Sequence, residues 1–269
     1  MTNMAQQAGN DLARLRRNQP LVHNITNFVV MNLTANALLA AGASPVMAHA
    51  QEEVEEMVGL AGALVLNIGT LTPPWVEAMR LAGQRANQLG VPVILDPVGA
   101  GATSLRTASA LRLLEQVRVS VVRGNASEIM ALAQAGAGTK GVDSVHQVDE
   151  ALEVAMNLAR RLEATVAITG ARDLVTDGRG AWRVANGHAL MGRVTGLGCT
   201  ATAIMGAFLA VQADPLTASV GALAFLGLAG QRAAGASRGP GSFQPALLDE
   251  LALIEPQELV QGALIEPQG

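Results

Sequence analysis

Residues 63–97 read ALVLNIGTLTPPWVEAMRLAGQRANQLGVPVILDP, and this stretch decides the fold class. Residues 63–68 (ALVLNI) are a short apolar run, the form a strand takes when both of its faces are buried. Residues 73–89 read as a helix that Gly90 ends, and residues 91–95 are a second apolar run closing on Asp96-Pro97. Buried strand, helix and buried strand in succession make the repeating unit of a parallel sheet with helices on its faces.

The same alternation continues on both sides. Upstream, a strand is predicted over 21–26, a helix over 28–39 ending at Gly42, a short strand over 45–47 and a helix over 52–59 with clustered acids at its start. Downstream, helices are predicted over 106–116, 125–135 and 148–162, with strands over 117–123 and 164–169. Residues 174–176 and 181–184 flank Asp177-Gly178 and read as a hairpin. Residues 200–234 read as two Ala/Gly-rich helices, placed in the interior or against another subunit because small residues permit close backbone approach. The expected class is α/β with a central, mostly parallel sheet. No Pro/Gly/Ser-rich spacer and no internal repeat divides the chain, so one domain over residues 1–269 is expected.

Composition removes several functions. Half of the residues are hydrophobic, but aromatics are only 2% and Tyr is absent, so Val, Ile, Leu, Met and Ala must build the core. Residues 200–211 are too short to span a bilayer, and 216–234 have polar ends and many small residues, so buried helices are expected. Residues 1–18 carry Asp11 and three arginines without an apolar segment, which does not describe a secretory signal. The net charge of −4 and the lack of a basic run argue against nucleic-acid and membrane partners. Cys199 is the only cysteine, which excludes an internal disulfide and fits a reducing cytosol.

Open parallel sheets bind ligands beyond the C-terminal ends of their strands. Four motifs fall at such ends: Asn67-Ile68-Gly69-Thr70, Asp96-Pro97-Val98-Gly99-Ala100-Gly101, Arg123-Gly124-Asn125 with Glu128, and Thr169-Gly170. A fifth, Thr195-Gly196-Leu197-Gly198-Cys199, precedes an apolar helix expected to begin near Thr200. Gly196 and Gly198 free backbone N–H groups to form an anion hole at that helix start, with Cys199 beside it and its thiolate fraction raised. The same residues also describe an ordinary Gly turn. Glu128 can hold a magnesium ion through water or close a capping box with Asn125. Asp96 either meets a cation or caps a turn, and Arg123 either binds phosphate or pairs with an acid. Thr169 ends a strand with its hydroxyl free for a phosphate or a carbonyl. Asn24 and Asn27 are placed to read a heterocycle or to brace a loop, and Met47 to wall a planar ring or fill the core. No P-loop pattern occurs, since residues 136–141 (GAGTKG) have the wrong spacing. There is no dinucleotide fingerprint near Asp96, and His23, His49, His146 and His188 are too scattered for a metalloprotease.

The ordered set PLVHNITNFVVMN (20–32), ALLAAGASPVMAHA (37–50), LDPVGAGAT (95–103), RGNASEI (123–129), TDG (176–178) and TGLGCTATA (195–203) resembles the hydroxyethylthiazole kinase family of the ribokinase-like superfamily. The resemblance covers nearly the whole chain. It implies a three-layer αβα fold and transfer of the ATP γ-phosphoryl group to 4-methyl-5-(2-hydroxyethyl)thiazole, with Mg²⁺, in thiamine salvage. It also implies a homotrimer with thiazole pockets between subunits. On that pattern Met47 and Gly196 belong at the thiazole, where Asn24 is also expected. Arg123 and Thr169 belong at ATP, Glu128 and less directly Asp96 at the metal, and Cys199 with Gly196 and Gly198 at the reacting centre. Related sugar and pyrimidine kinases carry an aspartate where this chain has Cys199, so the cysteine favours a thiazole over a hydroxymethylpyrimidine. Thiazole kinases usually have Thr-Gly-Glu followed by Val-Asp, whereas this chain reads Thr169-Gly170-Ala171-Arg172-Asp173. That departure leaves a catalytically silent metabolite-binding protein as a rival.

Overall fold

The computed structural model describes residues 3–137 and 149–268. In chain order the elements are α1 (Met4–Asn18), β1 (Leu21–Ile25), α2 (Met31–Ala41), β2 (Ser44–Val46), α3 (Val54–Leu60), β3 (Ala63–Asn67), α4 (Pro73–Leu89), β4 (Val93–Asp96), α5 (Ser104–Gln116) and β5 (Val121–Asn125). There follow α6 (Ala126–Ala137), α7 (Asp149–Leu162), β6 (Thr165–Thr169), β7 (Asp173–Thr176), β8 (Ala181–Val184), α8 (Leu197–Leu209), α9 (Pro215–Ala236), α10 (Pro240–Leu253), α11 (Pro256–Gly262) and β9 (Ile265–Gln268). The strands form one nine-stranded sheet in the order β2-β1-β3-β4-β5-β6-β7-β8-β9. β2 through β6 are mutually parallel, and β7, β8 and β9 extend the sheet antiparallel. Both edge strands carry a proline, Pro45 in β2 and Pro267 in β9, which withholds a backbone donor from any further strand.

Alternate residues of each strand face opposite layers. Val22, Val65, Ile94, Val121 and Ala167 share one core with α1, α2 and α8–α11. Leu64, Leu66, Val93, Leu95, Val122 and Val166 share the other with α3–α7. Because both faces are covered, the strands read in sequence as unbroken apolar runs. The two Ala/Gly-rich helices lie in the interior. α8 packs on β1, β3 and β4, where a Cβ at Gly206 would sit 3.0 Å from Val65 Cγ2.

The boundaries differ from expectation where side chains outvote periodicity. The helix expected over 28–39 begins at Met31, because Asn27 ties its own Oδ1 to Val29 N–H and its carbonyl to Val30 N–H, making a turn. The strand expected over 117–123 begins at Val121, since Val117 still closes α5 through its N–H to Leu113 O. Residues 235–243 end α9 and begin α10 at Pro240, whose fixed φ suits a first helical position. The start of the helix expected at 148, together with His146, lies outside the described residues. No element was anticipated for α1, α10, α11 or β9. Among the described residues no helix is long and apolar enough to cross a membrane.

Candidate active site

The parallel strands all end on one edge, and the polar motifs meet there. β1 has β2 on one side and β3 on the other, so the connections diverge between β1 and β3 and leave a crevice. Asn27, just past β1, donates through Nδ2 to Oδ1 of Asn67 at the end of β3, 2.8 Å away. Asn67 Nδ2 in turn donates to Asp96 Oδ2 at the end of β4, at 2.9 Å. That carboxylate oxygen also accepts Arg123 Nη1 from β5 at 3.3 Å and the Thr202 hydroxyl from α8 at 2.8 Å. Arg123 Nη2 donates to the Thr169 hydroxyl at the end of β6. Five strands and one helix are therefore joined by a single chain of hydrogen bonds centred on Asp96.

α8 begins three residues earlier than its apolar pattern suggests. Gly196 caps it at φ 85°, a left-handed conformation that glycine adopts freely, and a Cβ there would press on Val30 Cγ1 at 2.5 Å. Leu197, Gly198 and Cys199 thus form the first turn, and their amides precede the first helical bond, from Thr200 N–H to Gly196 O at 2.9 Å. A Cβ on Gly198 would lie 2.8 Å from both Nη atoms of Arg123, so this glycine lets the guanidinium lie against the helix start. Amides and guanidinium together create a concentrated positive region.

Cys199 stands in this turn with its Sγ 3.4 Å from Asn27 Nδ2. Burial pushes its thiol up, and the neighbouring Asp96 carboxylate pushes it further, against weaker pulls from Asn67, Asn27 and Arg123. The expected gain of thiolate at the helix start is thus overturned: the site favours a neutral thiol. Complete burial likewise pushes the Asp96 carboxyl up against the pull of Arg123 and Thr202, and its Oδ1 has no partner.

Glu128 lies on the first turn of α6, and both capping-box bonds are made: Glu128 N–H to Asn125 Oδ1 at 2.9 Å and Asn125 N–H to Glu128 Oε2 at 2.8 Å. Its Oε1 accepts Gly99 N–H at 2.8 Å. Among the described residues no three His, Cys, Asp or Glu side chains gather closely enough to hold a metal ion. Asn24 is not brought into the cluster. It is fully buried within β1, donating to Val22 O at 2.9 Å, and Asn27 reaches the site in its place. Met47 is half-buried just past β2, at the same edge of the sheet. One participant escaped the sequence patterns, and a second was named only within a motif. Thr202 sits three residues after Cys199, a spacing that shares a helix face, and Asn67 was visible only as part of a strand-end motif.

Beside Arg123 a cavity of about 530 Å³ opens, lined by Thr169, Asp173, His188, Gly198 and Leu226 among others. Its size is that of a small-molecule site. The altered segment after Thr169 runs along its rim. Arg172 turns away from the cavity, is largely exposed, and pairs with Glu266 of β9 at 2.8 Å. Asp173 is buried and accepts Gly170 N–H at 2.9 Å. Burial pushes its carboxyl up to about 6.

A model of the hydroxyethylthiazole kinase family matches residues 12–257. The chain belongs to the hydroxyethylthiazole kinase family. It is 58% identical over 266 residues to the hydroxyethylthiazole kinase of Desulfotalea psychrophila, covering 99% of this chain and 97% of the relative. It is 51% identical to that of a Roseiflexus species, with both chains covered completely. The hydroxyethylthiazole kinase protein from Pyrococcus horikoshii superposes with a TM-score of 0.91 at 49% identity, covering 97% of this chain and 99% of that one. A pyridoxal kinase from Staphylococcus aureus in complex with AMP-PCP shares the fold at a TM-score of 0.58 and 17% identity, covering 79% of this chain and 88% of that one. The three-layer architecture expected from the motifs is therefore that of the family.

Proposed function

We propose that this chain transfers the γ-phosphoryl group of ATP to the hydroxyl of 4-methyl-5-(2-hydroxyethyl)thiazole, giving the thiazole phosphate used in thiamine salvage. Family membership supports the reaction. The observation that carries the site is the convergence of Arg123, Thr169 and the first turn of α8 on one wall of the 530 Å³ cavity.

In this scheme the ATP phosphates lie against Arg123 and the Thr169 hydroxyl. The thiazole ring lies toward Met47 and Gly196, which brings its hydroxyethyl arm beside Cys199. Phosphoryl transfer passes through a loose transition state, so positioning and charge neutralisation do most of the work. Arg123 and the amides of Leu197, Gly198 and Cys199 offset the charge that develops on the equatorial oxygens. Cys199, held neutral, orients the acceptor oxygen by a hydrogen bond, and the acceptor proton leaves through water. A bound Mg²⁺ would supply charge neutralisation at the phosphates. Such an ion needs only one or two carboxylates and keeps several waters. Asp96 fits that need through its unpartnered Oδ1, while Glu128 fits only across an intervening water because both its oxygens already serve backbone N–H groups.

The oligomer belongs to the same proposal. Phe28 and Val29, large apolar side chains in the turn that packs on Gly196, are exposed by 65% and 64%, and Leu39 near the end of α2 by 59%. A second copy of the chain covering them would close the thiazole side of the site, as a homotrimer does; sedimentation at the mass of three chains is the expected result. The single cysteine agrees with action in the cytosol.

The deciding experiment measures magnesium-dependent ADP release by the folded protein with and without the hydroxyethylthiazole. Release that requires both supports the proposal. Release with a hydroxymethylpyrimidine in place of the thiazole would move the substrate to the pyrimidine branch. Thiazole binding without turnover would leave a binding protein, a reading that loses its motive because Arg172 faces Glu266 rather than the cavity.

A further inference from the structure

Arg106 breaks a local rule. It is the third residue of α5, where the positive end of the helix dipole disfavours a cation, and no acid accompanies it in that turn. Among the described residues it forms no ion pair, although it is only half exposed. Its guanidinium instead donates to three backbone carbonyls: Nη1 to Val98 O at 2.7 Å and to Ile68 O at 3.1 Å, and Nη2 to Gly69 O at 2.8 Å. Those carbonyls belong to two different loops, one following β3 and Asn67, the other following β4 and Asp96.

Val98 C=O and Gly99 N–H are the two ends of one peptide group. Arg106 holds the oxygen end at 2.7 Å, and Glu128 Oε1 holds the N–H end at 2.8 Å. A cation and an anion thus bracket one peptide plane, and a conformation with φ 75° at Gly99 lets it present both ends. The aliphatic part of Arg106 fills the space over that glycine, where a Cβ would sit 2.8 Å from its Cδ. Polar side chains that break a local preference and satisfy several backbone groups at once are expected where a site needs rigidity.

The geometry points to Arg106 as a positioning residue for phosphoryl transfer. It locks the β3 and β4 loops to each other and, through the Val98–Gly99 peptide, to Glu128, so that the Asn67–Asp96 bond at their base keeps its register. It touches neither substrate. This inference rests on the assignment of the reacting centre to the Asp96 and Cys199 cluster.

The test is steady-state, thiazole-dependent ADP release by Arg106→Ala, beside the wild type as a check that the assigned reaction occurs at all. Loss of registry by an ångström can cost about 100-fold in rate. A fall of kcat by about 10- to 100-fold is therefore expected, with KM for ATP and for the thiazole changed less than about threefold. Millimolar guanidinium should restore a large part of kcat in Arg106→Ala and leave the wild type unaffected, whereas methylammonium should not, because one ammonium cannot serve three carbonyls. A kcat close to that of the wild type, a loss confined to KM, or failure of guanidinium to restore the rate would each overturn the assignment. Should the alanine variant not fold, Arg106→Lys decides: a native far-UV spectrum with kcat reduced at least about fivefold supports it, and wild-type kcat refutes it. Absence of thiazole-dependent release in the wild type would instead count against the proposed reaction.

Discussion

Gly198→Ala would separate catalytic from structural roles in the first turn of α8. A Cβ at this position would lie 2.8 Å from both Nη1 and Nη2 of Arg123 and 3.2 Å from Cζ, where ordinary contact begins at 3.4 Å. The guanidinium must therefore retreat by about 0.6 Å, on the contact distance at which packed atoms sit comfortably. Retreat is not free for this side chain. Arg123 is only 8% exposed, its bond to Asp96 is already 3.3 Å long, and its other nitrogen is engaged by Thr169. Weakening one charge-assisted hydrogen bond costs about 1.5–3 kcal/mol, which predicts a fall in kcat/KM for ATP of about 10- to 100-fold. Stability should fall by less than this, because replacing glycine by alanine in a helix returns up to about 1 kcal/mol. Initial rates over a range of ATP concentrations and a thermal melt of the same sample check both halves. Activity within about twofold of the wild type, or a stability loss as large as the activity loss, would refute the placement of Arg123 against this turn.

Cys199→Ala should keep measurable activity, reduced by about 10-fold or less, because the neutral thiol contributes orientation rather than a proton acceptor; single-turnover rates will show whether the loss approaches that of Asp96→Asn, which would restore a base role. Asp173 makes stability depend on pH. Its folded-state pKa of about 6 lies above the ordinary 3.8, so the folded state holds the proton more tightly. Its contribution is full below about pH 4 and is lost as pH rises to about 6, by about 3 kcal/mol in all. Urea unfolding between pH 4 and pH 7 should show that decline in the wild type and a flatter profile in Asp173→Asn; superimposable profiles would refute it. Arg172→Ala should leave kcat and KM within about twofold of the wild type, since a solvent-exposed pair with Glu266 contributes at most about 1 kcal/mol, and a large change in KM for ATP would place Arg172 at the nucleotide after all.

The central sheet was legible because its signals are local. Residues 73–89 and the strand runs on either side of them carry their own periodicity and stop signals, and α4 matches its predicted bounds at Pro73 and Leu89. The candidate site was legible in part for a related reason: an open parallel sheet places every strand end on one edge, so Asn67, Asp96, Arg123 and Thr169 had to lie near one another. What the patterns missed depends on contacts between distant segments. Thr202 and Arg106 look like ordinary helix residues until α8 and α5 are laid on the sheet. Asn24 and Asn27 look equivalent until the strand ends between them: both are buried, but Asn24 bonds within β1 and Asn27 turns to Asn67 and Cys199.

The C-terminal region shows where that limit lies. The pentapeptide Leu-Ile-Glu-Pro-Gln occurs twice, at 253–257 and 264–268. In the first copy Glu255 caps α11, and Pro256 and Gln257 begin it; in the second, residues 265–268 form β9 and pair with β8. Identical local propensities yield helix in one place and strand in the other, because only the second copy meets an open sheet edge. Cys199 follows the same logic on the scale of one atom. Its place at a glycine-flanked helix start is written in the sequence, and by itself that place favours a thiolate. The opposite push on its thiol comes from tertiary structure, because burial and the Asp96 carboxylate act on it only once β4 and α8 have been packed together.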